Sequence, residues 1–497
     1  MARSVSTEMK TYQYYAGGTW HDPSSGQWID SENPALGEVW ARVPDCNADD
    51  INRAVQAAQS CYDQGPWGRM QPAERGRVLT RIGDVITKNA ERLGEVETRD
   101  NGKLPKNITP SLKSWQTDSF YYYAGMCDKF EGSLLPTEVP DMLNYLRWEP
   151  FGVCALITAW NSPLGVLICK LAPALAAGNA VVIKPSEHAS VSTLELMSVL
   201  QEADLPKGLL NVVTGYGKST GEPLVDHPDV RMVSFTGGIP GGRAAAEVAA
   251  RQVKPVVMEL GGKSPQIILQ DADMDLAVNG VISGIFPATG QSCISGSRIL
   301  VHQSQIQDFT ERLVDVASRA RVGDPLDPST QVGPIANRPH YDKVHRDIEN
   351  ALTAGAELVL DGRGKGPDQG YYIGPTIFSG VTNDAHLAQE EVFGPVAVMI
   401  SYEDEDDAVR MANDTVYGLA AGIWTQDVNK AIRMADRIQA GTVYINNYFN
   451  AATQSPVGGF KQSGYGREAG FEGMRCFMQT KSVWLATNPN QPDPFPA

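Results

Sequence analysis

The sequence lacks the cysteine and histidine patterns that build disulfide frameworks or metal sites. Its seven cysteines are scattered without a CxxC pair, and its seven histidines show neither an HExxH motif nor Cys/His knuckle spacing. We therefore expect no disulfide frame and no protein-built metal site. Scattered cysteines suit a reducing compartment, in which a single cysteine in a glycine-rich loop is a candidate catalyst.

Basic clusters and long apolar runs are also missing. The 42 Lys and Arg residues against 58 Asp and Glu give a formal charge of −16, and no Lys/Arg cluster of the kind that tracks a phosphate backbone is present. The most apolar region, residues 153–183, is interrupted before it reaches membrane length by Asn161, Pro163, Lys170 and Pro173. The N-terminal MARSVSTEMKTYQYY has no apolar core of signal-peptide type. We expect a cytoplasmic protein with neither nucleic acid nor membrane as a partner.

What the sequence does contain is an alternation of short apolar runs with segments of helical length. A chain of 497 residues predicts two or three domains. Short β-branched runs between helices are typical of parallel strands covered on both faces. The first series comprises VCALIT (153–158), NAVVIKP (179–185), LLNVVTG (209–215), VRMVSFTG (230–237), KPVVMEL (254–260) and SPQIILQ (264–270). A second series follows Cys293, from RILVHQ to AGTVYINN. The pattern predicts two doubly wound α/β units.

One long helical pattern precedes these units. Leu79, Ile82, Ile86 and Leu93 recur at helical spacing within residues 72–103, and Asn101-Gly102 forms the stop signal.

Three polar residues near strand ends are candidate catalytic residues. Asn161 follows the first strand run, Glu259 lies near the end of the run KPVVMEL, and Cys293 lies in ATGQSCISGSR, residues 288–298. Each alone is more often structural. Together they supply a thiolate nucleophile, an amide for an oxyanion and a carboxylate that activates water. No histidine lies in the three segments, which argues against a Cys/His hydrolase.

Seven motifs in order along the chain resemble those of the aldehyde dehydrogenase superfamily. They are AWN (159–161), KPSE (184–187), FTGG (235–238), MELGGKSP (258–265), GQSCISGSR (290–298), EEVFGPV (390–396) and SPVGGFKQSGYGRE (455–468). The resemblance implies oxidation of an aldehyde to a free acid through a thiohemiacetal and a thioester. It makes Cys293 the nucleophile, Glu259 the general base and Asn161 the oxyanion donor with the Cys293 N–H. Lys170 would assist electrostatically, or would be a helix lysine whose amine reaches solvent.

The resemblance also implies NAD as the cofactor and assigns residues to hold it. FTGG ends a strand and opens a helix, whose N-terminus suits a pyrophosphate. GYGKSTG (215–221) misses the GxGxxG fingerprint by one place and is interpreted as a turn. Lys184 and Glu187 would hold the adenine ribose, or form a surface ion pair, and Glu391 and Phe393 would hold the nicotinamide ribose and ring. The cofactor-binding set is Trp160, Lys184, Glu187, Phe235, Thr236, Gly237, Gly238, Leu260, Glu391 and Phe393. The family commonly has a hydroxyl residue where Gly238 stands, so backbone N–H groups would replace it.

The expected substrate is a bulky, aromatic or cyclic aldehyde. The funnel that the family builds would be lined here by Ser162, Val166, Cys169, Ser292, Ile294, Phe449, Ala451 and Val457. Many family members specific for small aliphatic aldehydes have aromatic rings at several of these positions. In this chain Phe449 and Ile294 would be the main bulk, which predicts a widened funnel.

The resemblance divides the chain into three parts. An NAD-binding domain is expected over residues 1–126 and 150–261, and a catalytic domain over 262–475. Residues 127–149 and 476–497 would form a β arm and C-terminal tail that pair subunits into a homodimer or homotetramer. Two alternatives stay open, namely a CoA-acylating enzyme, which generally lacks the glutamate present as Glu259, and a catalytically silent dinucleotide-binding or structural paralogue.

Overall fold

Residues 9–495 are described by the computed structural model of the chain. The first eight residues of the N-terminal segment and residues 496–497 of the tail lie outside the described part. Two large sheets, two small sheets and sixteen α-helices make up this part of the chain. None of its helices is both long enough and apolar enough to cross a membrane.

The first large sheet has eight strands, of which the five central ones are parallel. The strands Val153–Ile157 and Ala180–Lys184 are buried along their whole length, which explains their continuous apolar sequences. In spatial order the strands are Gly464–Tyr465, Val256–Glu259, Val230–Thr236, Val153–Ile157, Ala180–Lys184, Leu210–Val212, Tyr14–Ala16 and Thr19–His21.

The second large sheet has seven strands, six of them parallel. In spatial order they are Glu357–Leu360, Thr376–Ser379, Val396–Tyr402, Arg298–His302, Pro265–Ile268, Ala420–Trp424 and Thr442–Ile445. The predicted fold class, two doubly wound α/β units, is confirmed.

The strand Pro265–Ile268 corrects one detail of the prediction. The run SPQIILQ was grouped with the first series, but it pairs with Arg298–His302 and Ala420–Trp424 in the second sheet. The chain crosses between the sheets at Gly261 and Gly262, directly after the strand that ends at Glu259. A continuous apolar run indicates a strand that is buried on both faces, but it does not specify the sheet to which the strand belongs.

Helices cover both faces of the sheets. Their bounds are Ala48–Asp63, Pro72–Lys88, Ala90–Asn101, Pro105–Leu112, Trp115–Met126, Pro163–Ala177, Val191–Leu200, Glu222–Asp226, Ile239–Arg251, Met274–Ile285, Ile306–Ser318, Arg338–Thr353, His386–Gln389, Glu405–Asn413, Val428–Ala435 and Gly470–Arg475.

The helical pattern over residues 72–103 forms two helices rather than one. The first ends at Lys88, because Asn89 leaves helical geometry and its side-chain amide donates to the Val85 carbonyl over 2.9 Å. The second begins at Ala90 and ends at Asn101, and its C-cap Gly102 has a φ of 78°, in the left-handed region. The predicted stop at Asn101-Gly102 is confirmed.

The two small sheets lie outside these layers. One contains Lys10–Thr11, Glu38–Pro44 and Trp28–Asn33. The other, which we call the β arm, is antiparallel and joins Ser133–Leu135, Met142–Pro150 and Met478–Ala486. Leu134, Trp484 and Leu485 expose more than half of their surface on this arm.

Candidate active site

A cleft of about 630 Å³ lies at the carboxyl ends of the parallel strands in the first sheet. This is where ligands bind in open α/β sheets. Seven of the ten predicted cofactor residues line it: Trp160, Lys184, Glu187, Phe235, Thr236, Gly237 and Gly238. Gly217, Lys218 and Gly221 also border it, so the segment interpreted only as a turn reaches the cleft.

The floor of the cleft is shaped for a phosphate group. Gly238 is the N-cap of the helix Ile239–Arg251, so the positive helix end and its unpaired first-turn N–H groups face the cleft. Pro240 removes one of these amides. The ring of Phe235 lies so close to Gly237 that a Cβ there would approach it within 2.8 Å. A side chain at this position would therefore displace the ring of Phe235.

Two buried hydroxyls in the cleft lack partners among the described residues. They are the Oγ1 atoms of Thr158 and Thr236. A buried hydroxyl without a partner is costly. Both atoms can be satisfied by a polar ligand in the cleft, so the residues present fit a dinucleotide.

Lys184 and Glu187 form an ion pair of 3.7 Å. The Lys184 side chain is only 4% exposed and that of Glu187 is 26% exposed. A surface ion pair is therefore wrong for Lys184, whose amine also donates to the Pro185 carbonyl over 3.0 Å. The partly exposed Glu187 carboxylate is the group that faces the cleft.

Glu391 and Phe393 lie between this cleft and the Cys293 loop. The Gly262 N–H donates to Glu391 Oε1 over 2.9 Å, and burial raises the pKa of Glu391 to about 7. Phe393 has a φ of 61°, a strained value for a bulky residue. Its ring meets the Trp160 ring edge-on at 5.2 Å. Leu260 is buried and packs on Gly242, next to the pyrophosphate end rather than in the cleft lining.

Backbone packing fixes the loop that carries Cys293. Ala288 and Thr289 adopt positive φ, and Gly290 approaches the Gly394 carbonyl so closely that a Cβ would lie 2.1 Å from its oxygen. A Cβ at Gly262 would lie 2.3 Å from the Cys293 carbonyl oxygen. This loop therefore has one tightly constrained path, of the kind found at functional sites.

The Cys293 thiol is half-buried. Burial, with the nearby carboxyl groups of Glu391 and Glu259, raises the pKa of Cys293 to about 12. The resting side chain is therefore a thiol, and it needs a proton acceptor to become a nucleophile. The two carboxyl groups that act on it are candidates for that acceptor.

Asn161 faces the same loop. Its Nδ2 donates to the Gln291 carbonyl over 3.0 Å, which leaves its second amide hydrogen available. The side-chain amide of Asn101 stabilises the turn at Trp160 and Asn161 by donating to their backbone carbonyls over 3.3 Å each. The structure thus brings the amide of Asn161 and the Cys293 loop together.

Glu259 is the last residue of its strand and reaches a buried charge cluster. Its Oε1 is buried without a partner among the described residues. Burial and the nearby Glu468 raise the pKa of Glu259, whereas Lys170 lowers it. Lys170 is fully buried, paired with Glu468 and donating to Ser234 Oγ over 2.9 Å. The alternative of a solvent-reaching lysine is therefore wrong for Lys170.

The predicted funnel residues come from three segments. Val166 and Cys169 lie on the helix Pro163–Ala177, and Ser162 is its N-cap. Ser292 and Ile294 flank the nucleophile, while Phe449, Ala451 and Val457 lie on the loop after the last strand of the second sheet. Phe449 and Val457 are half-buried and Ala451 is exposed.

The helix Trp115–Met126 is a neighbour of this region that the sequence did not suggest. Thr453 Oγ1 donates to the Trp115 carbonyl over 3.4 Å, which joins the loop to this helix. The Gln116 side chain lies beside Gly165. This helix therefore packs against both the loop and the helix Pro163–Ala177, and the expectation that Phe449 and Ile294 supply the main bulk stays a prediction.

Three residues near the site were missed from sequence. Glu468 stood inside a quoted motif, and its bridge to Val457 positions it beside Lys170. Lys103 follows the helix stop at Asn101-Gly102 and donates to Ser162 Oγ over 2.8 Å. Gln116 is buried on an otherwise ordinary helix. The sequence of this helix has no amphipathic pattern that would have marked Gln116 as buried.

An oxidoreductase is the class of enzyme that this arrangement indicates, because a dinucleotide-sized cleft lies near a cysteine loop and the carboxyl groups of Glu259 and Glu391 are close enough to raise the pKa of that cysteine. The chain belongs to the aldehyde dehydrogenase family, since the family model described as "Aldehyde dehydrogenase family" matches residues 20–483. The resemblance inferred from the seven motifs is confirmed.

Named relatives and a solved structure agree with this assignment. The chain is 39% identical to retinal dehydrogenase 2 of Homo sapiens, covering 96% of this chain and 92% of that protein. It is 40% identical to betaine aldehyde dehydrogenase of Brucella anthropi, covering 95% and 96%. It spans only 53% of the cytosolic 10-formyltetrahydrofolate dehydrogenase of Xenopus tropicalis. The structure of Staphylococcus aureus betaine aldehyde dehydrogenase in complex with NAD+ matches with a TM-score of 0.95 at 35% identity, covering 98% and 97%.

Proposed function

We propose that this chain oxidises an aldehyde to a carboxylic acid, with NAD as the cofactor and a thioester on Cys293 as the intermediate. One observation carries the proposal. The Cys293 loop, the amide of Asn161 and the unpartnered carboxyl oxygen of Glu259 converge beside a cleft whose residues fit a dinucleotide. An aldehyde panel followed by NADH absorbance, with the product identified as acid, tests it.

The first half-reaction uses the thiol and the oxyanion donors. Loss of the thiol proton to a nearby carboxylate makes the Cys293 thiolate, which adds to the aldehyde carbon. The developing oxyanion accepts from the free amide hydrogen of Asn161 and from the Cys293 N–H. The resulting thiohemiacetal loses a hydride and collapses to the thioester.

NAD supplies the acceptor for that hydride when it is bound in the cleft. The first turn of the helix after Gly238 and the Thr236 hydroxyl would bind the pyrophosphate, and Glu187 the adenine ribose. Glu391, Phe393 and Trp160 would hold the nicotinamide end, and Leu260 would pack beside Gly242 near the pyrophosphate.

The second half-reaction releases the acid. Glu259 accepts a proton from water, and the hydroxide formed attacks the thioester carbon and displaces the Cys293 thiolate. Lys170 holds Glu468 next to Glu259 within this charge cluster.

The CoA-acylating alternative is less well supported because Glu259 and its charge cluster have no role when CoA releases the product. Formation of the carboxylic acid in the absence of CoA would distinguish the acid-forming enzyme from the CoA-acylating one. A silent paralogue is disfavoured by the retention of Cys293, Asn161 and Glu259, and it predicts no NADH with any aldehyde.

A preference for NAD over NADP is expected from Glu187. Its carboxylate would accept hydrogen bonds from ribose hydroxyls and repel a 2′-phosphate. We expect kcat/KM for NAD to exceed that for NADP by about tenfold or more, and Glu187→Gln to reduce the ratio. The exposed Glu202→Gln is the matched control and should leave the ratio unchanged. A wild-type enzyme that favours NADP would refute this role.

A preference for bulky aldehydes is expected from the small side chains of the funnel. A larger apolar substrate gains roughly 25 cal/mol for each Å² of surface that it buries. We therefore expect a higher kcat/KM for benzaldehyde than for acetaldehyde, and Ala451→Phe to lower this ratio by refilling the funnel. Ala354→Phe, at an exposed helix end, is the control. Acetaldehyde as the better substrate of the wild type would overturn the widened funnel.

Oligomeric state and location are part of the same proposal. The β arm exposes apolar side chains on an edge hairpin, and such edges pair between subunits, which supports a homodimer or homotetramer. The seven free cysteines support a cytoplasmic location. An aldehyde is the only small-molecule partner proposed besides NAD.

A further inference from the structure

Gln291, two residues before the nucleophile, joins the Cys293 loop to a buried segment at residues 333–336. We call these four residues the anchor segment. The Gln291 side chain is buried, with 6% of the residue exposed, and its Oε1 accepts from the Ala336 N–H over 2.9 Å. Its Nε2 donates to the Pro334 carbonyl over 3.5 Å. Both ends of the amide therefore contact the backbone of the anchor segment.

Thr289 makes a second link between the loop and the anchor segment. Its hydroxyl donates to the Gly333 carbonyl over 3.0 Å, and only 3% of the residue is exposed. The φ of Thr289 is 58°, a strained value for a β-branched residue. Such strain persists only where the surrounding contacts hold the backbone in place. The hydrogen bond to Gly333 is one of these contacts.

The anchor segment also packs against the residues that hold the Asn161 turn. A Cβ at Gly333 would lie 2.6 Å from the Gly102 carbonyl oxygen, and a Cβ at Gly102 would lie 2.5 Å from Pro334 Cγ. Gly102 directly follows Asn101, whose side-chain amide donates to the Asn161 carbonyl over 3.3 Å. Close packing thus joins the anchor segment to the Asn161 turn.

These contacts close into a ring that contains both oxyanion donors. Asn161 Nδ2 donates to the Gln291 carbonyl over 3.0 Å, and the Cys293 N–H lies two residues farther along the loop. The ring therefore runs from Asn161 through the anchor segment to Gln291 and back to Asn161. The distance between the two donors depends on each of these contacts, because closely packed interiors transmit small displacements.

We propose that Gln291 and Thr289 are positioning residues for the oxyanion site, acting through the Asn161 amide and the Cys293 N–H. This inference rests on the proposed aldehyde oxidation, in which these two donors stabilise the oxyanion. Preorganised donors contribute fully only at the correct distance from the developing charge. Loss of either side chain lets the loop shift relative to Asn161, so the oxyanion loses stabilisation while the thiol keeps its reactivity.

The test compares two reactions of the Cys293 thiolate, only one of which forms an oxyanion. With 4-nitrophenyl acetate the sulfur adds to the ester carbon, the oxyanion forms, and 4-nitrophenolate leaves with the electrons of the broken C–O bond. Iodoacetamide alkylates the same thiolate by displacing iodide, without an oxyanion. Because both reactions need the thiolate, a changed thiol pKa affects them alike. Initial rates at Cys293 are measured without NAD, by mass spectrometry of the quenched protein.

Gln291→Met keeps the length of the side chain without its hydrogen bonds. We expect acylation to slow by about tenfold or more, because small misplacements of catalytic groups have effects of this size, while alkylation stays within about threefold of wild type. Gln307→Met, at an exposed position of the helix Ile306–Ser318, is the control and should change neither rate. Equal slowing of both reactions would make Gln291 a structural residue only. That result, or unchanged acylation, overturns its role in positioning.

Thr289 supplies an independent pair of variants, which also tests the proposal if Gln291→Met does not fold. Thr289→Val keeps the β-branched shape without the hydroxyl and should lower the acylation-to-alkylation ratio by about fivefold, the effect of one hydrogen bond. Thr289→Ser retains the hydroxyl and should keep the ratio within about twofold of wild type. A ratio that falls equally in both variants, or in neither, contradicts the role of this hydrogen bond.

Asn161→Ala distinguishes failure of this inference from failure of the proposed function. This variant removes the donor itself and should lower the acylation-to-alkylation ratio at least as far as Gln291→Met does. A low ratio in Asn161→Ala with normal ratios in Gln291→Met and Thr289→Val retains the proposed function and refutes the positioning role. A normal ratio in Asn161→Ala removes the oxyanion site from the proposed function, and this inference with it.

Discussion

Replacing Cys293 by alanine is expected to reduce aldehyde oxidation to below about 1% of wild type, because no other group in the site can form the thioester. Cys169, a half-buried thiol on the helix Pro163–Ala177, lies near Glu468 and Lys170. NADH formation measured by absorbance at saturating NAD and aldehyde gives the rate.

NAD binding separates loss of the nucleophile from loss of the fold. The cleft is formed by residues of the first sheet, and Cys293 is not among those that line it. Titration of Cys293→Ala with NAD by calorimetry should therefore give an affinity within about threefold of wild type. Cys61→Ala, on the helix Ala48–Asp63, is the matched cysteine control and should retain activity. Turnover of more than a few per cent in Cys293→Ala would end the nucleophile assignment.

Because the pKa of the Cys293 thiol is raised, the nucleophile assignment requires a base that accepts the thiol proton. Burial and the neighbouring carboxyl groups disfavour the thiolate in the protein without ligand. The protonated thiol is protected from oxidation and adventitious reaction, because the thiolate is the reactive form. The cysteine becomes reactive only when a base accepts its proton.

Most of the fold could be predicted from local sequence patterns. The buried strands Val153–Ile157 and Ala180–Lys184 are continuous apolar runs, and the end of the second helix at Asn101 is marked by Gly102. The sheet to which Pro265–Ile268 belongs was not predictable in the same way, because sheet membership depends on pairing partners far along the chain.

A site residue was predictable from the sequence where it stands in a recognisable motif. It was not predictable where its role depends on contacts between distant segments. Cys293, Glu259 and Asn161 each stand in a recognisable motif. Gln116 and Lys103 do not, because only the folded chain brings the helix Trp115–Met126 and the turn after Asn101 against Ser162 and Gly165. The burial of Lys170 could likewise not be predicted from the sequence, since its partner Glu468 lies 298 residues away along the chain.

Glu259→Gln is expected to separate the two half-reactions. Glutamine keeps the shape of the side chain but cannot accept a proton from water, so the thioester forms and then hydrolyses slowly. Lys170 and Glu468 remain paired, because neither is bonded to Glu259 in the described hydrogen-bond network. The charge cluster behind the site therefore persists in the variant.

Stopped-flow mixing of Glu259→Gln with NAD and benzaldehyde should show a burst of at most about one NADH per site, followed by turnover about a hundredfold slower than wild type. Mass spectrometry of the quenched protein should detect the acyl group on Cys293. The exposed Glu472→Gln serves as the control and should turn over normally. Steady-state rates equal to wild type would make Glu259 a structural residue. Slow turnover without a burst would instead place Glu259 in the first half-reaction, as the acceptor of the thiol proton, because hydride transfer would then wait for a thiolate that forms too slowly.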